Sequence, residues 1–152
     1  MPRKTLKKKI HNSESASSDQ AIIYFRVSSS PQERDGFSLP AQRKLLRAYA
    51  HSLGLRIVAE FDDIETAKTS GRTAFGQMIK FMQKNPSVTH ILVEKVDRLY
   101  RNFKDYVLID ELRCTLHLVK DGQVLSAESK SSEKFLHGIK VLMAKQYIDN
   151  LS

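Results

Sequence analysis

Apolar stretches alternate with amphipathic stretches from about residue 20 to the end of the chain. Short runs rich in β-branched and aromatic residues predict strands, which lie at residues 21–27, 55–61, 90–96, 115–119 and 123–127. Apolar residues at helical spacing predict four helices, which begin near Ser38 and Thr73, cover about 101–113 and cover 134–151. This alternation predicts an α/β domain with a mainly parallel sheet of four to five strands, flanked by helices and followed by a long C-terminal helix.

The first 19 residues differ in composition from the rest of the chain. Lysines at positions 7–9 precede a serine-rich run at 13–18, and the segment has little that a core would bury. This composition predicts a disordered basic arm, suited either to contacts with phosphates or simply to solubility. The predicted organisation is therefore an arm at 1–19, a folded domain at 20–132 and a helix at 133–152.

The chain has a formal net charge of +8, which favours a polyanionic partner such as nucleic acid or an acidic membrane surface. Cys114 is the only cysteine, which excludes an intramolecular disulfide and fits a reducing cytoplasm. No apolar run is long enough to cross a bilayer, and none follows the N-terminal charges as in a secretory signal. We therefore expect a cytoplasmic protein with no membrane partner.

Polar residues alternate with apolar ones at the end of the first predicted strand, over 24–28. Because side chains alternate along a strand, Tyr24, Arg26 and Ser28 share one face. An arginine inside an apolar strand is costly unless it is paired, so Arg26 either binds an anion beside the hydroxyl or forms a buried salt bridge. Ligands of parallel sheets bind beyond the carboxyl ends of the strands, which is where these residues lie.

A second polar cluster follows the third predicted strand. If Asp97 opens a helix, Asp97, Arg98 and Arg101 lie on one side of it, at spacings of three and four residues. Two guanidinium groups and a carboxylate at a strand end are suited to binding phosphate, although a surface ion-pair set has the same pattern. Arg72, in the polar loop predicted at 62–72, adds a further cation.

The absence of other motifs narrows the reaction class. The sequence has neither the Gly-x-x-x-x-Gly-Lys of a P-loop nor a Gly-x-Ser-x-Gly elbow, and its five histidines are scattered without metal-ligand spacing. A serine served by arginines suits attack on phosphorus, where negative charge develops on the phosphoryl oxygens. No metal and no cofactor are expected.

Two ordered motifs resemble those of the serine recombinases, the resolvase/invertase group. The segment at 24–29, with Gln32 after it, is similar to the opening motif of the family, and 97–102 is similar to its Asp-Arg-Leu-x-Arg signature. Residues 35–42 resemble the next segment in the large serine recombinases, which include phage integrases, and 63–75 resembles the mobile loop and the helix after it. The resemblance covers roughly residues 20–152.

The resemblance implies a metal-independent DNA strand transferase that cleaves DNA to a 5′-phosphoserine intermediate and religates it after strand exchange. The implied site residues are the nucleophile Ser28, the phosphate-binding Arg26, Arg72, Arg98 and Arg101, and Asp97, with Tyr24, Gln32 and Gln42 in support. The implied partners are double-stranded DNA, a second copy in a homodimer on DNA, and a synaptic homotetramer.

The sequence also departs from the family pattern. Phe25 stands where small residues are frequent, Pro31 follows the serine cluster, and Lys145 stands where an acidic residue is common. The DNA-binding domains that follow the catalytic domain in the family are absent, so we expect this chain to be a part of a longer protein.

Two other functions fit parts of the pattern. A non-catalytic DNA-binding or dimerisation module would share the fold, and a small hydrolase or phosphatase would share the serine and the arginines. Ser28 together with four arginines favours the enzyme over the binding module. The second motif and the final helix favour the recombinase over the hydrolase.

Overall fold

The computed structural model describes residues 19–28, 38–65, 73–126, 133–134 and 136–143. The strands are β1 (Gln20–Ser28), β2 (Arg56–Glu65), β3 (Val88–Val93), β4 (Thr115–Leu118) and β5 (Gln123–Leu125). The helices are α1 (Leu39–Ser52), α2 (Thr73–Lys84), a 3₁₀ helix (Val96–Arg98), α3 (Phe103–Glu111) and α4, the helical residues 133–134 and 136–143.

The five strands form one sheet in the order β2-β1-β3-β4-β5. β1 to β4 are parallel to their neighbours, and β5 is antiparallel to β4. The prediction of a mainly parallel α/β sheet is therefore confirmed. Because β1 lies between β2 and β3, the carboxyl ends of these three strands lie side by side at one edge of the sheet.

Side chains of β1 alternate between two apolar clusters, as the strand periodicity predicts. Ala21, Ile23 and Phe25 pack on one face with Leu46 of α1. On the other face, Ile22 and Tyr24 pack in a larger cluster, to which α2 contributes five buried residues and the other members come from β3, β4, α3, α4 and the segment after β3. Both sides of β1 are thus covered, which makes its carboxyl end the part of the strand that is open to a ligand.

β2 is longer than predicted, because the expected polar loop begins later. Residues 62–65 were expected to be loop on account of their charges, but they continue the parallel ladder opposite residues 25–28 of β1. Pairing with a central strand satisfies the backbone hydrogen bonds and overrides the low strand propensity of acidic residues. The rest of that loop, 66–72, lies outside the described residues.

Other boundaries differ by small amounts. Ser38 occupies the N-cap position of α1, as predicted, but its side chain makes no capping hydrogen bond. The helical residues up to 143 agree with the predicted final helix. The predicted arm at 1–18 and residues 144–152 lie outside the described part of the chain. None of the helices in the described part has the length and apolar character needed to cross a membrane.

Two buried histidines have pKa values displaced by their surroundings. His117 lies 2.8 Å from Tyr49 through Nδ1 and 2.9 Å from His90 through Nε2, and burial together with His90 lowers its pKa to about 4. On α4, burial is also the main reason that the pKa of His137 falls to about 4. Both imidazoles are therefore neutral in the folded protein at neutral pH.

We expect the free energy of unfolding to fall as the pH falls from about 6.5 to 4. In this window the unfolded chain protonates both histidines while the folded chain keeps them neutral, so acid favours unfolding. The variant His117→Gln should make the decline shallower by up to about 1.4 kcal/mol per pH unit. Urea unfolding across the pH range measures it, with the exposed His51→Gln as control; equal slopes in both variants would contradict the assignment.

Candidate active site

Arg26 joins the carboxyl end of β1 to the segment after β3. Its guanidinium donates through Nη2 to the backbone carbonyl of Asp97 and through Nε to that of Arg98, the second at 3.3 Å. Carbonyl oxygens thus satisfy a cation that would be costly in an apolar strand. The two polar clusters predicted from sequence are brought together through this side chain.

Asp63 is a second fixed point, at the end of β2. It is almost fully buried and accepts hydrogen bonds from the hydroxyl of Tyr24 at 2.6 Å and from the backbone N–H groups of Ala74 and Phe75 at 3.0 Å. The carboxylate therefore satisfies orphan N–H groups at the start of α2, where negative charge is also favoured by the helix dipole. These hydrogen bonds hold Tyr24, which lies two positions before Arg26 on β1.

The segment after β3 does not form the single helix that was expected. The 3₁₀ helix ends at Arg98, and α3 begins at Phe103, so the condition that Asp97 opens one helix that aligns it with Arg98 and Arg101 is not met, while α3 confirms the helix predicted at about 101–113. Local capping explains the break: Asn102 accepts from the N–H of Asp105 at 2.9 Å, and Asp105 accepts from the N–H of Arg101 at 2.8 Å.

Contacts from β4 and the turn after it also hold this segment. Lys120 N–H donates to the carbonyl of Glu94 at 2.9 Å, and Val96 N–H donates to the carboxylate of Asp121 at 3.3 Å. The exposed Asp97 and the half-buried Arg98 therefore project from a backbone that is fixed on both sides.

Tyr100 connects the same segment to α4. Its hydroxyl lies 3.1 Å from Nε2 of His137, and both residues are buried. Burial is the main cause that raises the pKa of Tyr100 well above its ordinary value, so the hydroxyl stays protonated. The arginine-bearing segment thus has a direct polar contact with the final helix.

The remaining predicted site residues are placed as follows. Gln42 is fully buried on α1. The backbone of Ser28 ends β1, while its side chain lies outside the described part, as do Gln32 and Arg72. No group of three or more His, Cys, Asp or Glu side chains placed to hold a metal ion occurs among the described residues.

Two residues with positions in this region were not predicted as site residues. Asp63 belongs to the segment at 63–75 that resembles the family, and Glu94 belongs to the strand predicted at 90–96, but neither has a predicted role. Glu94 is fully buried directly after β3, with Oε1 3.6 Å from Nε of Arg98. A carboxylate within an otherwise apolar run was the sequence signal for Glu94, whereas Asp63 stands in a charged segment that gave no such signal.

Comparison with known families shows the class of domain to which this fold belongs. Residues 21–152 match the family model described as the N-terminal domain of resolvases. The match spans most of the sequence, so the chain belongs to the resolvase family of serine recombinases. The recombinase class of enzyme follows from that membership.

Solved structures show the same relationship. A resolvase family site-specific recombinase from Streptococcus pneumoniae is 25% identical, with a TM-score of 0.64 over 87% of this chain and 91% of that chain. The C-terminal catalytic domain of ISC1926 TnpA, an IS607-like serine recombinase, is 30% identical, with a TM-score of 0.54 over 66% and 70%.

The N-terminal catalytic domain of TP901-1 integrase shares the fold, with 21% identity and a TM-score of 0.61 over 88% of this chain and 98% of that chain. A search among curated proteins finds no match.

We expect Asp63→Ala to lower the free energy of unfolding by about 2–4 kcal/mol, because it removes a helix cap and leaves the buried Tyr24 hydroxyl without its acceptor. Tyr24→Phe removes one of the same hydrogen bonds and should cost about 1 kcal/mol. Urea unfolding of the two variants measures the difference. Equal losses in both would show that Asp63 does not hold α2 to the sheet.

Proposed function

We propose that this chain carries out site-specific DNA recombination with Ser28 as its nucleophile. The Ser28 oxygen attacks the scissile phosphorus, the bond to the 3′ oxygen breaks, and a 5′-phosphoserine forms while the 3′ oxygen takes up a proton. After strand exchange, a 3′-hydroxyl attacks the phosphoserine and reverses these steps. The observation that carries the proposal is the contact of Arg26, two residues before Ser28, with the backbone of Asp97 and Arg98.

The proposed chemistry needs no metal and no nucleotide. A phosphoserine diester keeps the energy of the bond that was broken, so religation requires no second energy source. Arginine forks match phosphoryl oxygens and neutralise the charge that develops on them in the transition state. Arg98 and Arg101, in the segment between β3 and α3, are proposed for this task together with Arg72.

Arg26 has a double role in this proposal. A guanidinium has five N–H donors, so it can hold the carbonyls of Asp97 and Arg98 and also offer N–H groups to a phosphate. The exposed carboxylate of Asp97 is proposed to orient arginines or to move a proton. Tyr24, held by Asp63, and the glutamines at 32 and 42 are proposed to support the site.

Covalent capture tests the proposal without knowledge of the target sequence. The protein is incubated with fragmented genomic DNA that includes the DNA flanking its own gene, in buffer with EDTA, and denatured adducts are digested and analysed by mass spectrometry. We expect a phosphonucleotide on Ser28, complete loss of adduct in Ser28→Ala, and adduct in the control Ser30→Ala.

Other outcomes separate the alternatives. Adduct that persists in Ser28→Ala rejects the nucleophile, and adduct that EDTA abolishes rejects metal independence. DNA binding with no adduct under any condition supports a non-catalytic DNA-binding or dimerisation module of the same fold. A phosphomonoester hydrolysis activity that depends on Ser28, with no adduct on DNA, supports a phosphatase.

We further propose that α4 forms the contacts of a dimer on DNA and of a synaptic tetramer. His137 and Val141 face the domain and are buried, whereas Leu136 is 60% and Met143 63% exposed, one helical repeat of seven residues apart. Apolar side chains aligned on an exposed helix face are suited to burial against a second copy.

The double variant Leu136→Lys/Met143→Lys should weaken self-association on DNA by at least about 10-fold, because burying each apolar side chain contributes about 1.5–3 kcal/mol. Sedimentation equilibrium with bound duplex measures the change. Val124→Lys, at an exposed apolar position on β5, is the matched control and should have no effect. An unchanged association constant in the double variant would rule out this helix face.

A further inference from the structure

Glu94 is a buried carboxylate that the proposed chemistry does not use. It follows β3 directly, is fully buried, and places Oε1 3.6 Å from Nε of Arg98, whose side chain is 12% exposed. We propose that Glu94 is a positioning residue for Arg98 in strand cleavage. The inference rests on the proposed function, because it concerns the binding of the scissile phosphate.

The backbone around the pair is held independently of their side chains. The carbonyl of Glu94 accepts from Lys120 N–H at 2.9 Å, and the carbonyl of Arg98 accepts from Arg26 at 3.3 Å. The Cα positions of both residues are therefore fixed by neighbouring strands. The direction of the Arg98 guanidinium is then set by the carboxylate that faces it.

Glu94 faces one part of the Arg98 guanidinium, and the rest of the group is available to a phosphate. Oε1 of Glu94 contacts Arg98 at Nε, on the edge that the Nε–H group shares with one terminal nitrogen. The two terminal nitrogens together form a planar fork suited to phosphoryl oxygens, and a carboxylate at Nε leaves the end of that fork for a phosphate. Glu94 would thus fix the direction of the fork.

Stability alone gives a weak reason for this pair. Burying two charges costs more than their attraction returns unless the geometry is good, and apolar residues of similar volume often serve stability equally well. At 3.6 Å the contact between Nε and Oε1 is an ion pair rather than a short hydrogen bond. A buried, orienting charge beside a phosphate-binding arginine is better explained by preorganisation of the site.

A second acid–arginine contact provides a matched control. Glu60 on β2 forms ion pairs with Arg43 at 3.0 Å and with Arg47 at 2.7 Å, on α1. Its side chain is 21% exposed, and its partners are not proposed to bind the scissile phosphate. Glu60→Gln therefore removes the same charge from a comparable arrangement outside the site.

The experiment compares Glu94→Gln, Arg98→Ala, the double variant and Glu60→Gln on the duplex recovered by covalent capture. Adduct formation is timed at saturating DNA, and DNA affinity and thermal unfolding are measured in parallel. We expect Glu94→Gln to slow adduct formation about 100-fold, the scale of a small misplacement of a reacting group, with affinity within about threefold of wild type. Glu60→Gln should keep the wild-type rate.

The double variant distinguishes positioning from a structural role. If Glu94 acts through Arg98, Glu94→Gln adds no further loss to Arg98→Ala, because the two changes remove one interaction. A full additional loss in the double variant, or a wild-type or faster rate in Glu94→Gln, overturns the inference while leaving the Ser28 proposal intact. If Glu94→Gln does not fold, Glu94→Asp takes its place, because it keeps the charge and shifts the carboxylate. A wild-type rate in Glu94→Asp, together with an altered orientation of Arg98 in its crystal structure, overturns the inference equally.

Discussion

The contact of Arg26 with the carbonyls of Asp97 and Arg98 is the interaction on which the arrangement of this domain's open edge depends. A guanidinium at the end of a central strand must find acceptors, and those acceptors come from the turn after the neighbouring strand. One side chain therefore satisfies its own charge and ties two strand ends together. Ser28 and Arg98, both proposed for the phosphate chemistry, belong to the two segments that Arg26 connects.

Two buried carboxylates extend the same arrangement outward. Asp63 holds Tyr24 and the first turn of α2, and Glu94 lies 3.6 Å from Arg98. Backbone carbonyls thus contact Arg26 and a carboxylate contacts Arg98, two of the side chains that we propose bind the phosphate. Membership of the resolvase family supports a catalytic interpretation of this edge of the sheet, because resolvase-like domains are recombinase catalytic domains.

Periodicity in the sequence was sufficient to predict the sheet and the face shared by Tyr24 and Arg26, because both follow from local alternation. It was not sufficient at residues 62–65, where pairing with β1 outweighs charge, or at 97–101, where Asn102 starts a new helix. Neither Asp63 nor Glu94 could be assigned a partner from sequence. The partner of Asp63 is set by a contact between residues 39 positions apart, and that of Glu94 by burial.

A crystal structure of the covalent DNA adduct is the most direct test that Ser28 is joined to the phosphorus and that the arginines bind its oxygens, because it locates all of these atoms. We expect a phosphoserine at Ser28 with terminal nitrogens of Arg98 about 2.7–2.9 Å from its non-bridging oxygens, and with Glu94 still facing Nε. A phosphate joined to another side chain, or joined to Ser28 with Arg98 out of hydrogen-bonding reach, would contradict it.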